Sequence, residues 1–279
     1  MRIAVYQGPE QPGDVAANLN RLEATARVAA TQGARLLLCP ELFLTGYNIG
    51  AEAAARLAEV VDGASAQRAA SIALDTGVAL LYGYPERDAD GRIFNSAQLV
   101  ERDGKPLLNY RKCHLFGDLD RSMFAPGPGD LALANIDGLR LGVLICYDVE
   151  FPEAVRLYAQ EGVDVLAVPT ALMEPFEFVA RVIVPARAYE NQVFLAYGNR
   201  CGREGDLVYC GQGCVVGPDG RDLARAGRGE QVIVADIDPA ALAASRRVNT
   251  HLRDRRPELY GALAAAEPPG DPAATGGSP

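Results

Sequence analysis

Cys146 sits in the run Gly142-Val-Leu-Ile-Cys-Tyr-Asp-Val-Glu-Phe-Pro-Glu153. The apolar half reads as a strand and Pro152 opens a helix, so the thiol falls at a strand's carboxyl end, where backbone N–H groups converge. That setting is expected to lower the thiol pKa and to supply an oxyanion hole. A buried structural cysteine is the bland alternative. However, Asp148, Glu150 and Glu153 crowd in directly after it, and a strand end with a packing role alone has no need of them. A nucleophilic thiol needs a base. The two histidines, His114 and His251, have no orienting partner nearby in sequence, which leaves a Cys-His pair open. The other option is a carboxylate. Cys39-Pro-Glu41-Leu-Phe places Glu41 at a second strand end, among apolar neighbours that would raise its pKa, unless it is a helix cap or a surface acid. Lys112, in Tyr110-Arg-Lys-Cys-His-Leu-Phe116, can enter a cleft as a fixed positive charge for a thiolate or an oxyanion. Its alternative is a snorkelling surface lysine. The chain has no Gly-x-Ser-x-Gly elbow, Walker-type loop or His-Glu-x-x-His motif.

Positioning these side chains takes an alternation of strands and helices. Strands are predicted at Arg2–Gln7, 34–39, 77–84, 141–146, 163–169 and 193–199. Helices are predicted over 18–31, 64–75, 152–160 and 176–190, the last interrupted by Pro185. Asp90-Gly91, Asp103-Gly104 and Asp137-Gly138 read as turns between strands. Tyr209–Val216, 221–226 and Gln231–Asp236 read as an antiparallel meander. With no compositional break, residues 1–260 are expected to form one α/β domain with a mixed sheet. The Ala/Pro/Gly-rich stretch within 261–279 is expected to be a disordered tail.

The chain has 279 residues, 49% hydrophobic and 23% charged, the balance of a globular protein with a sizeable core. A formal net charge of −9 argues against a nucleic-acid partner. No apolar run is long enough for a membrane span or a leader peptide, and the six scattered cysteines point to a reducing cytoplasm. Cys210-Gly-Gln-Gly-Cys214 lacks a second cysteine pair at zinc-ligand spacing, so no metal is expected.

Taken together, Pro40-Glu41, Arg111-Lys112 and Cys146-Tyr-Asp before Phe151-Pro-Glu153 resemble the nitrilase-like carbon–nitrogen hydrolases, whose catalytic set is Glu, Lys and Cys in that order. The likeness extends to Pro169-Thr-Ala171, Ala186-Arg-Ala-Tyr-Glu-Asn191 and Asp254-Arg-Arg-Pro-Glu-Leu-Tyr260. The resemblance implies a four-layer α-β-β-α sandwich that forms homodimers or larger homo-oligomers and needs no cofactor. It also implies a mechanism in which Cys146 attacks an amide carbon, Lys112 and the Tyr147 N–H hold the oxyanion, and Glu41 transfers protons. Many members carry a further active-site glutamate after the lysine. Here Asp120, one methylene shorter, is the match, with Asp118 the other candidate. Within the family the chain is similar to 5-aminopentanamidases of lysine breakdown, through Leu44-Thr-Gly-Tyr-Asn-Ile-Gly50, Tyr82-Gly-Tyr-Pro-Glu-Arg87 and Phe116-Gly-Asp-Leu-Asp-Arg-Ser-Met-Phe124. That likeness implies a small linear amide, 5-aminovaleramide, whose ammonium would meet Glu177, or else Glu174; the alternative is that these are acids favoured by a helix N-terminus. N-carbamoyl amidase and nitrilase activities would use the same three residues, and a catalytically silent scaffold is the alternative outside the enzymes.

Overall fold

A computed structural model describes residues 1–261. The chain opens with β1 (Arg2–Gln7) and α1 (Val15–Thr31), whose first turn is capped by the Asp14 carboxylate accepting from the Ala17 N–H at 2.9 Å. There follow β2 (Leu36–Leu38), α2 (Gly50–Leu57) and α3 (Ala64–Thr76), then β3 (Ala79–Arg87), β4 (Ile93–Val100) and β5 (Pro106–Arg111), which turn at Asp90-Gly91 and Asp103-Gly104. α4 (Gly117–Met123) precedes the hairpin of β6 (Ala132–Ile136) and β7 (Leu139–Val143), joined at Asp137-Gly138. Next come α5 (Pro152–Gln160), β8 (Val165–Pro169), α6 (Val184–Asn191) and β9 (Phe194–Gly198). The ribbon of β10 (Cys201–Glu204) and β11 (Leu207–Cys210) is followed by β12 (Cys214–Val216), β13 (Asp222–Arg225), β14 (Gln231–Asp236) and α7 (Pro239–Val248).

The strands form two six-stranded mixed sheets, ordered β14-β1-β2-β3-β4-β5 and β13-β12-β9-β8-β7-β6. Period-2 alternation sorts their side chains. Ile3, Val5, Leu36, Leu38, Leu81 and Leu99 face the second sheet and share one core with its Leu141, Val143, Val165, Ala167 and Leu195. The intervening Ala4, Tyr6, Leu37, Leu80 and Tyr82 pack against Leu22 and Ala26 of α1 and Ile72 and Ala73 of α3. α6 lies on β9 and β12 with α5 beside it. The layers therefore run helix, sheet, sheet, helix, and each large aliphatic side chain so buried contributes about 1.5–3 kcal/mol.

Two segments depart from the sequence expectation. The C-terminal strands do not form one meander. Gly211 and Gln212 adopt positive φ (65° and 64°) and divide 209–216 between the β11 ribbon and β12, while β14 crosses to the first sheet and pairs antiparallel with β1. Its alternate residues Ile233 and Ala235 are buried there, so burial across the molecule, not proximity in sequence, decides the partner. The helix expected over 176–190 begins as a π turn, Val179–Ile183, before α6. Pro185 lies just after that π turn, so the change of helical spacing falls where proline lacks the N–H that an uninterrupted α-helix would use. The expected tail, 261–279, lies outside the described residues apart from Gly261.

Candidate active site

Three strand ends meet between the sheets: Glu41 three residues past β2, Lys112 directly after β5, and Cys146 three residues past β7. The Glu41 segment is held from both sides. Its N–H donates to the Thr170 carbonyl at 3.3 Å, and Leu44 N–H donates to the Gly83 carbonyl at 3.1 Å. Gly83 is required there, because a Cβ would lie 2.3 Å from the Leu42 nitrogen.

Glu41, Lys112 and Asp120 are all fully buried. Lys112 Nζ donates to Glu41 Oε1 at 2.7 Å and to Asp120 Oδ2 at 2.6 Å. Asn95 Nδ2 donates to the same Glu41 oxygen at 2.7 Å, whereas Glu41 Oε2 is buried without a hydrogen-bond partner among the described residues. Asp120, carried on α4, also accepts from the Tyr47 hydroxyl at 2.8 Å and the Phe116 N–H at 2.9 Å. Asp118, the other candidate, is exposed. Burial pushes the Glu41 carboxyl above the usual range and the Asp120 charge adds to this, against the attraction of Lys112. Burial opposes the charge of Lys112, but Glu41 and Asp120 outweigh it and hold the ammonium well above the ordinary lysine range.

Cys146 opens a 3₁₀ turn, Cys146–Glu150, with φ at +46°, a strained value for a side chain with a Cβ and one common at functional elbows. Asp148, fully buried, locks the elbow. Its carboxylate accepts from the Ile145 N–H (3.1 Å), the Tyr110 hydroxyl (2.9 Å) and the His114 N–H (2.8 Å). Arg187 of α6 braces the turn from behind, donating to the carbonyls of Val149 (3.0 Å) and Glu150 (2.6 Å). The expected lowering of the thiol pKa is not found. Burial and then the Glu41 charge push the Cys146 thiol up, and Lys112 and Thr170 only partly oppose them. A thiol pushed up in this way needs a neighbouring base to take its proton if it is to serve as a nucleophile.

A cavity of about 250 Å³ opens over Cys146, lined by Tyr47, Phe116, Tyr147, Glu150, Met173 and Phe176 together with Ala171 and Leu172. The carboxylates expected to meet a substrate ammonium do not line it. Glu174 and Glu177 instead pair with Arg228, at 2.5 and 2.9 Å. Spacing could not reveal that pairing, because Arg228 arrives from the distant β13–β14 connection. The acid that does line the cavity is Glu150. His114 lies elsewhere, its Nδ1 2.7 Å from Asp148 and its ring stacked on Phe151, in the wall of a separate cavity with Cys113; His251 is exposed. Neither forms a Cys-His pair with Cys146. Asn95, a polar residue buried in β4, escaped the sequence reading because nothing in its local pattern separates it from a sheet residue. Among the described residues no helix is long and apolar enough to cross a membrane, and no group of three or more His, Cys, Asp or Glu side chains is placed to hold a metal ion.

Residues 2–247 match the family model described as carbon-nitrogen hydrolase. The chain belongs to that family. It is 40% identical over 263 residues to an (R)-stereoselective amidase from a Pseudomonas species, covering 94% of this chain and 93% of that one. It is 53% identical over 260 residues to a protein of Pseudomonas protegens named as a hydrolase in the pqqF 5′ region, covering 93% and 90%. In structure it is similar to an amidase from Nesterenkonia sp. AN1, seen as a double mutant in complex with acrylamide, with a TM-score of 0.86, 38% identity and coverage of 94% and 97%. Another structure of that amidase carries the acetamide moiety of fluoroacetamide added covalently at the active-site cysteine (TM-score 0.81, 37% identity, coverage 93% and 95%). This carbon–nitrogen hydrolase thus acts on amide C–N bonds, as an amidase of the nitrilase superfamily with a catalytic cysteine.

Proposed function

We propose that Cys146 is that cysteine and that the enzyme hydrolyses a small linear ω-amino amide, 5-aminovaleramide, to 5-aminovalerate and ammonia. The observation that carries the chemistry is the buried Glu41–Lys112–Asp120 cluster together with the Cys146 thiol in the wall of a small cavity. Glu41 takes the thiol proton, and its unpartnered Oε2 is the free acceptor. The thiolate adds to the amide carbon. An ammonium has three donors, and Lys112 commits two to Glu41 and Asp120, leaving the third for the developing oxyanion alongside the Tyr147 N–H. Glu41 returns its proton to the departing nitrogen, which leaves as ammonia as the tetrahedral carbon collapses to a thioester on Cys146. Glu41 then deprotonates a water that attacks the thioester, and the released sulfur regains the proton. Asp120 keeps Lys112 charged and aimed throughout.

The amide is the only partner this chemistry calls for, with no cofactor, nucleic acid or membrane. We place the enzyme in the cytoplasm as a homodimer or larger homo-oligomer, which light scattering on the eluting protein tests. Mass-spectrometric detection of 5-aminovalerate from 5-aminovaleramide, with Cys146→Ala as control, tests the reaction. Product from the wild type alone is expected. Product from both overturns the role of Cys146, and product from neither overturns the substrate.

A further inference from the structure

We infer that Glu150 is the carboxylate that receives the substrate's terminal ammonium and so sets the preference for cationic amides. This deepens the ω-amino amide reading and rests on it.

The other acids around the site are committed. Glu41 and Asp120 hold Lys112, Asp148 holds the elbow, and Glu174 and Glu177 hold Arg228. Glu150 lines the same cavity as Cys146, and among the described residues its carboxylate has no hydrogen bond or ion pair. Its backbone is fixed nonetheless, by the 2.6 Å bond from Arg187 to its carbonyl. The rest of the wall is aromatic and apolar, suited to a methylene chain between two polar ends.

Cys146 and Glu150 are the two ends of one 3₁₀ turn, over which the backbone advances roughly 8 Å at about 2 Å per residue, so both side chains border the same small cavity. An extended five-bond path from amide carbon to ammonium nitrogen spans roughly 6 Å at ordinary bond lengths. Burial pushes the Glu150 carboxyl up, with Lys112 and Arg187 only partly opposing, so a cation arriving in the cavity meets a half-desolvated partner that gains from neutralisation. A neutral chain end would leave that carboxylate unpaired.

The test compares steady-state hydrolysis of 5-aminovaleramide and of valeramide, its neutral analogue of equal chain length, by the wild type, Glu150→Gln and Glu177→Gln. The wild type is expected to prefer the amino amide. Glu150→Gln should lower kcat/KM for it about tenfold or more, mainly through KM, and by clearly more than it lowers kcat/KM for valeramide, with an unchanged circular dichroism spectrum reporting an intact fold. Glu177→Gln should leave the preference standing. A preference that survives Glu150→Gln overturns the assignment and leaves the substrate reading intact. A wild type with no preference overturns the ω-amino reading, and the role of Glu150 with it.

Discussion

Asp120 shows how much a single buried contact decides. By the family resemblance Asp120 is expected in place of a longer glutamate, and in the structure Asp120 Oδ2 lies 2.6 Å from Lys112 Nζ. The same carboxylate takes the Tyr47 hydroxyl and the Phe116 N–H, so it ties the ammonium to two walls of the cavity. Asp120→Asn keeps the shape but removes one of the two anions that hold the charge of Lys112. We expect kcat to fall by about tenfold to a hundredfold, with a smaller change in KM, because the loss falls on the oxyanion-bearing steps. A loss confined to KM in steady-state kinetics would contradict this account. Cys146 teaches the converse. Its place at a strand end suggested an acidic thiol, yet burial beside Glu41 raises it, because desolvation and a neighbouring carboxylate outweigh one ammonium and a few local dipoles.

At the scale of elements, the proposed catalytic residues depend on segments that carry no chemistry themselves. Gly83, within β3, is such a case: its carbonyl holds Leu44, and its missing side chain makes room for the backbone of Leu42. Leu42 is itself at positive φ (49°), so the segment has little freedom to retreat. Gly83→Ala should destabilise the protein by about 1–3 kcal/mol and cost activity beyond that by displacing Glu41, as chemical denaturation and turnover measured on one preparation would show. Unchanged activity in a destabilised variant would separate the Glu41 segment from β3. Much of this architecture was legible in advance. The hairpin turns, the α5 boundaries and β1 follow from local pattern alone, because Asp-Gly turns, a proline at the first helical turn and an apolar run act over a few residues. The π turn before α6 and the bend at Gly211-Gln212 were not legible, since each answers packing from another part of the chain.

For the whole molecule, one inter-sheet core and the pairing of β1 with β14 join the first strand to the last. The expectation of a single domain then predicts a single unfolding step, with coincident far-UV circular dichroism and tyrosine fluorescence. Its pH dependence should carry the mark of Glu10. That residue is fully enclosed beside Arg200, whose Nε stands 2.5 Å away, while Arg200 also reaches Glu204, which in turn accepts from the Tyr47 N–H at 3.0 Å. Burial pushes the Glu10 carboxyl up to about 7, with Arg200 opposing. An acid raised by folding binds its proton more tightly in the native state, so the stabilisation is complete below the unfolded value near 4.5 and is lost as pH rises to about 7. Stability should fall by up to about 3 kcal/mol across that window, and Glu10→Gln should flatten the decline. An equal decline in the variant would assign it to other groups.

The sequence by itself determined the α/β class and most element positions, and it named Glu41, Lys112 and Cys146 as the candidates and their order, because each is written in residue identity or in patterns a few residues long. Only the tertiary structure decided that β14 joins the first sheet, that the Cys146 thiol is raised, that Arg228 occupies Glu174 and Glu177, and that Glu150 faces the cavity. The physical reason is shared: burial and charge act through space, and the groups that matter to each of these side chains come from strands and loops far away in the chain.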